Sequence, residues 1–275
     1  MAWFYLTDGV SLWYEDQGAG PTVLLVPGWT YTTRFYDHQV AELSKDHRVI
    51  SVDLRGAGNS GKTPSGHSLS QYACDLLELC TGLELNQVTI VGWAMAVSVA
   101  VHALTRDPSR FDRLVWVDHS PRFYASGDWA YGLHGNLDPW QWDEQIHHLQ
   151  QNRPAATRDL LASCFWKAPP PSELDWMVAE LLKTPTEVMA QMLATVANVD
   201  LRPMLPALSL PVLIVNGRHS IVPTEVGQWI ATQVPQGRAI VLEQSGHLPY
   251  IEEYQRFNDA VRHFVAEGDQ FRSAL

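Results

Sequence analysis

His247 lies in Gln244-Ser245-Gly246-His247-Leu248-Pro249, a polar, glycine-containing loop near the end of the chain. Imidazole has the proton affinity that general-base work near neutrality requires, and a loop at a sheet edge lets it reach a reacting group elsewhere. That group is sought where a strand runs straight into a helix through small residues, and Val88-Thr89-Ile90-Val91-Gly92-Trp93-Ala94-Met95-Ala96 has this form. A nucleophile elbow has the pattern Gly-x-Ser-x-Gly, whose small flanking residues permit a strained turn that lifts the central side chain above the sheet. Gly92 and Ala96 meet the steric need, but Ala94 supplies no hydroxyl. As written, the chain is expected not to hydrolyse esters at a useful rate.

The other parts of such a site occur in the matching order. After the apolar run Val23–Val26 comes Pro27-Gly28-Trp29-Thr30. Its Trp29 backbone N–H, with the Met95 N–H at the start of the elbow helix, can donate to a developing oxyanion. The segment Asp53-Leu54-Arg55-Gly56-Ala57-Gly58-Asn59-Ser60 follows the next strand. Its glycines permit a tight turn, and Asp53 and Arg55 read as structural.

The elements that must hold these residues follow from hydrophobic patterning. Two short strands, Trp3–Leu6 and Val10–Tyr14, flank a hairpin turn at Asp8-Gly9. Continuous apolar runs follow at Val23–Val26, Val49–Val52, Val88–Val91, Leu114–Val117, Val212–Val215 and Ala239–Leu242. They are short and do not alternate, as expected of parallel strands buried on both faces. Leu69, Tyr72, Ala73, Leu76, Leu77 and Cys80 keep helical spacing, and helices are expected over Ala94–Leu104, Glu225–Thr232 and Tyr254–Phe264. The alternation predicts an α/β fold with a mostly parallel central sheet and helices on both faces.

One interval of about ninety residues, from Asp118 to Pro211, has no strand signal. Helices are expected there around Trp140–Gln150, Ala155–Cys164, Glu173–Leu182 and Glu187–Ala197, with Pro169-Pro170-Pro171 as a breaker. The interval reads as a helical cap, residues 122–203, inserted into a core domain of residues 1–121 and 204–275. The cap holds five of the eleven tryptophans, Trp129, Trp140, Trp142, Trp166 and Trp176. Trp129, Trp140, Trp166 and Trp176, with Trp93 and His119, are the candidate lining of an apolar pocket; His134 is a weaker one.

Composition narrows the partners. Hydrophobic residues make up 46% and charged residues 18%, a globular balance, and the net charge of −11 argues against nucleic acid or an anionic membrane. No signal peptide or apolar run of about 18 residues is evident, so a cytoplasmic protein is expected, its Cys74, Cys80 and Cys164 reduced. No phosphate loop, dinucleotide fingerprint or zinc motif is seen, so no cofactor and no metal are expected. The expected partner is a small apolar or aromatic molecule, and the oligomeric state is left open.

Pro27-Gly28-Trp29, Asp53-Leu54-Arg55-Gly56-x-Gly-x-Ser60, Gly92-x-Ala94-x-Ala96 and Ser245-Gly246-His247 together resemble the α/β-hydrolase superfamily across essentially the whole chain. The resemblance implies that fold and a nucleophile–histidine–acid triad. Many members carry the acid after the strand that follows the cap, in a Gly-x-x-Asp context. Here that segment is Gly217-Arg218-His219-Ser220-Ile221-Val222-Pro223, without a carboxylate until Glu225. The other familiar location is the end of the strand after the elbow helix, where Asp118 ends Leu114-Val115-Trp116-Val117. Asp118 is therefore the expected acid, since triads are defined by geometry and not by chain position.

Three accounts of Ala94 follow. In the first, which we adopt, the chain is a hydrolase of a small apolar ester, lactone or related acyl bond, with alanine in place of a native serine. In the second, alanine is native and a His247–Asp118 dyad serves as the base of a cofactor-independent ring-cleaving dioxygenase acting on a heteroaromatic substrate. Those enzymes carry a histidine where this chain continues Thr30-Tyr31-Thr32. In the third, the chain is a non-catalytic ligand-binding relative.

Overall fold

The computed structural model describes residues 1–125, 127–132 and 139–267, and their side chains except those of residues 139, 141–143 and 145. Eight strands form one sheet in the order β1-β2-β4-β3-β5-β6-β7-β8. The hairpin β1 (Ala2–Tyr5) and β2 (Ser11–Gln17) pairs antiparallel, with Ala2 opposite Tyr14. The strands β3 (Thr22–Val26), β4 (Arg48–Val52), β5 (Val88–Trp93), β6 (Phe111–Val117), β7 (Val212–Gly217) and β8 (Gly237–Leu242) are mutually parallel. Each apolar run of the sequence lies within one of them. The exception to burial on both faces is β8, which lies at the sheet's edge and is mostly half-buried.

Side-chain alternation divides the strand residues between two cores. Leu24, Val26, Ile90, Leu114, Trp116 and Ile214 point to one face, against α2 (Leu69–Gly82), α3 (Met95–Arg106) and α8 (Thr224–Gln233). Val23, Leu25, Val91, Val115, Val117 and Val215 point to the other. There they meet α1 (Asp37–Leu43) and α10 (Tyr254–Ala266), the latter through Phe257, Val261 and Phe264. The short helix α1 was not anticipated: Val40 and Leu43 are too few to show a period.

Among the described residues, four α-helices lie between β6 and β7: α4 (Pro139–Gln151), α5 (Arg153–Ser163), α6 (Pro171–Leu181) and α7 (Thr186–Ala197). Their bounds fall within two residues of the helices expected there. No described helix is long and apolar enough to cross a membrane.

The β5–α3 junction shows why small residues are needed. A Cβ on Gly92 would lie 2.8 Å from the Ala96 carbonyl oxygen and 2.9 Å from the Val97 nitrogen, inside the first turn of α3. Gly92→Ala is accordingly expected to destabilise the fold by about 1–3 kcal/mol, the usual range for overpacking a fixed backbone. A urea-midpoint shift corresponding to less than about 0.5 kcal/mol, the usual range for an inert surface change, would show that the helix can give way.

Candidate active site

The parallel strands β5, β6 and β7 end on one edge of the sheet, and the loops that follow them meet there. At the end of β5, Ala94 has φ 49° and ψ −125°, outside the regions a side chain ordinarily allows. The turn is held from both sides: the Ala94 N–H donates to the Val117 carbonyl at 3.0 Å, and the Ala94 carbonyl accepts the Val97 N–H at 2.9 Å.

At the end of β6, Asp118 also has positive φ, 47°, and its N–H donates to the Val215 carbonyl at 2.9 Å. Aspartate is among the side chains that tolerate this region best. Its carboxylate is fully buried and accepts from four donors. His247 Nδ1 lies 2.6 Å from Oδ2, Asn216 Nδ2 3.0 Å and the Gly217 N–H 3.2 Å from Oδ1, and the Ser220 hydroxyl donates to Oδ2. The end of β7 and the turn after it thus supply donors to an acid at the end of β6.

His247 is 6% exposed and faces the same pocket as Ala94. With Nδ1 turned to Asp118, Nε2 is the ring nitrogen available to a reacting group. The loop is held by its backbone: the His247 N–H donates to the Cys164 carbonyl at 2.7 Å, and the His247 carbonyl accepts the Trp93 indole N–H at 2.7 Å. Glu252, in α9 (Pro249–Glu252), accepts the Gly246 N–H at 2.6 Å and the Trp166 N–H at 2.9 Å.

The Pro27-Gly28-Trp29 loop closes the third side. A Cβ on Gly28 would lie 2.7 Å from the Trp93 ring, so only glycine lets the loop pass this close. Trp29 and Met95 line the pocket with Ala94 and His247. Among the described residues, neither backbone N–H donates to a protein acceptor. The two residues expected from the sequence to offer amide donors thus lie at the same pocket as Ala94 and His247.

The remaining wall is mostly apolar. Tyr31, Phe123, Leu160, Leu161, Leu181, Leu193 and Val196 line it, three of the four inserted helices contributing, around about 590 Å³ of empty space including its mouth. Both indole N–H groups at its wall are occupied, that of Trp29 by the Met189 carbonyl at 2.8 Å. Cys164 also lines the pocket, but burial pushes its thiol up to about 12, which keeps it a thiol.

Of the expected pocket residues, Trp93 is brought to the wall and five others are not. Trp129 is buried against Trp229 at 4.7 Å and donates to the Tyr131 carbonyl. Trp140, in the first turn of α4, is 62% exposed. Trp166 stacks on His219 at 4.5 Å under Lys167, and Trp176 packs between Phe35 and the Arg34 guanidinium. In α6 the buried apolar stripe is Leu174, Met177, Val178 and Leu181, with Glu180 buried beside it, and the half-buried Trp176 is out of phase with the stripe. Trp142's side chain and His134 lie outside the described residues. The structure brings Trp29, Met95, Ala94 and His247 to one pocket with Asp118 bonded to His247; patterning did not single out Asn216 and Ser220, which donate to Asp118.

His119 lies behind the pocket, not in its wall. Its Nε2 is 3.0 Å from the Ser98 hydroxyl oxygen, its carbonyl accepts the Trp116 indole N–H at 2.7 Å, and Nδ1 is buried without a partner. Burial, and then the charge of His247, pull its imidazole down to about 3.

A sequence profile of the α/β-hydrolase fold matches residues 21–254. The chain belongs to that family. It is similar to the AB hydrolase superfamily protein YisY of Bacillus subtilis (strain 168), 26% identical over 94% of this chain and 96% of that one. A pimeloyl-[acyl-carrier protein] methyl ester esterase of Vibrio campbellii is 27% identical over 93% and 99%. Among solved structures, an esterase from Exiguobacterium antarcticum superposes with a TM-score of 0.90 at 25% identity, covering 96% of this chain and 98% of that one.

His119 generates a prediction about acid stability. The unfolded chain binds a proton there near 6.5 but the folded chain only near 3, so stability is full above 6.5 and falls as pH drops through this window. Asp53, raised by burial from 3.8 to about 6, acts with the opposite sign between those values. The test is therefore the difference between His119→Gln and its parent. On going from pH 6.5 to 5 the parent should lose about 2 kcal/mol more than the variant, at about 1.4 kcal/mol per pH unit, measured by urea unfolding. Parallel losses would show that His119 takes up its proton in the folded state.

Proposed function

We propose that this chain is the scaffold of a serine hydrolase for a small, apolar ester, lactone or related acyl bond, with Ala94 standing where a serine is the nucleophile. The observation that carries the reading is the Ala94 backbone, φ 49° and ψ −125°, facing His247 across an apolar pocket. Such a conformation costs about 1–3 kcal/mol, and a methyl group gains nothing from it. A serine in the same backbone would carry its hydroxyl toward His247. Relatives named as a methyl ester esterase and an esterase support ester chemistry.

With serine at position 94, the hydroxyl oxygen bonds to the substrate carbonyl carbon as His247 Nε2 takes its proton. Asp118 holds the imidazole tautomer through Nδ1, and the carbonyl oxygen, now negative, is stabilised by the Trp29 and Met95 N–H groups. Collapse expels the alcohol, which leaves with the proton from His247. Water then repeats the sequence and frees the acid. Helices α4–α7 act on this reading as a cap of residues 122–203, whose leucines and Val196 select an uncharged substrate. The free Cys74, Cys80 and Cys164 suit a reducing cytoplasm.

Restoring the nucleophile tests this. Loss of a nucleophilic serine costs about 10⁶ in turnover in a comparable triad. Ala94→Ser should therefore raise hydrolysis of p-nitrophenyl esters or lactones by several orders of magnitude and allow labelling by a fluorophosphonate, and His247→Ala in that protein should remove the gain. No activity across the panel and no labelling would defeat the proposal.

A second reading rests on the His247–Asp118 pair, which at 2.6 Å is complete without any side chain at position 94. As the base of a cofactor-independent dioxygenase, the Ala94 protein would itself consume oxygen with a hydroxyquinolone and release carbon monoxide. Absence of oxygen uptake removes it. Tight ligand binding without turnover, with alanine or serine at 94, would mark a binding protein instead.

A further inference from the structure

Glu180, in the last turn of α6, is a buried carboxylate that the proposed mechanism does not use; its side chain is 7% exposed. It accepts from the Thr32 hydroxyl at 3.0 Å, Arg34 Nη1 at 3.4 Å and Lys183 Nζ at 2.8 Å. Thr32 and Arg34 belong to the loop that carries the Trp29 N–H. From the opposite side, Asp53 Oδ1 accepts the Thr33 N–H at 2.6 Å. Just before these anchors Thr30 is left-handed, with φ 64°, and its carbonyl accepts from the Thr184 hydroxyl at 3.5 Å just beyond α6. A β-branched residue does not hold this conformation unaided, so the surroundings must impose it.

We propose that Glu180 is a positioning residue: by holding Thr32 from the α6 side it fixes the turn at Thr30 and so aims the Trp29 N–H at the oxyanion. The inference rests on the hydrolase reading of the site. Its three partners differ in kind. Arg34 and Lys183 are 50% and 37% exposed, and ion pairs of that type contribute little to stability. The Thr32 residue is 1% exposed, and Glu180 is its recorded side-chain acceptor, so its hydroxyl loses its partner when the carboxylate is removed. The seating of α6 and the aim of a transition-state donor are thereby one event.

Two measurements test the coupling. In the protein as it stands, Glu180→Leu should raise amide hydrogen exchange of residues 28–34 about tenfold or more while β3 is unchanged, and Glu180→Gln, which keeps an acceptor oxygen, should stay within about threefold. In the Ala94→Ser background, Glu180→Leu should lower kcat by about 10- to 100-fold with KM within about threefold, and Glu180→Gln should recover most of it. Lys183→Ala, which removes an ion pair but leaves the Thr32 bond, should keep kcat. Unchanged exchange in the loop overturns the proposal. So does a lower Tm with unchanged kcat per fluorophosphonate-labelled site, which would leave Glu180 a mere docking contact. If Ala94→Ser proves inactive, the hydrolase reading fails, and the exchange result alone decides whether Glu180 controls the loop.

Discussion

The site depends on a carboxylate taken out of water, whose oxygens must be satisfied inside the protein. Asp118 is fully buried, and an anion placed so is costly unless its oxygens are satisfied. Four donors do this, from the end of β7, the turn after it and the histidine loop. The compensation is also an assembly rule. The Asn216, Gly217 and Ser220 donors are local to β7, but His247 must come from beyond β8, so the electrostatic need of one residue draws the base into place. The parallel sheet makes this possible by ending β5, β6 and β7 on one edge.

The inserted helices are tied to both arms of the site, not laid passively over it. On the Trp29 side, α7 accepts the Trp29 indole and the α6 end holds Thr30 and Thr32. On the base side, the end of α5 accepts the His247 N–H, and Glu252 links the histidine loop to Trp166. A Cβ on Gly246 would lie 2.6 Å from the Cys164 carbonyl oxygen, which shows how closely the two backbones meet. The Trp29 loop, the histidine loop and the pocket wall are therefore tied together through the same inserted helices.

Much of this was legible in the sequence because it depends on local rules. Apolar runs marked the strands, small residues marked the elbow, and polar residues at strand ends marked Asp118 and His247. The lack of a carboxylate between Gly217 and Pro223 pointed to Asp118, which the structure buries against His247, though not to the donors Asn216 and Ser220. A buried asparagine ending the run from Val212 was the available signal. The tryptophans misled because composition says which segment holds a large ring and not which face of a helix it takes. In α6 the periodicity of Leu174, Met177, Val178 and Leu181 already excluded Trp176 from the inward stripe.

The turn at position 94 places two selective pressures in opposition. Its backbone suits glycine best, and any residue with a Cβ weakens the fold there. Only a side chain that reacts can justify keeping one. Adaptation for stability alone would drive the position toward glycine, whereas adaptation for turnover would hold it at a nucleophile. Alanine satisfies neither demand: it keeps the Cβ that the backbone disfavours and offers no atom that could react.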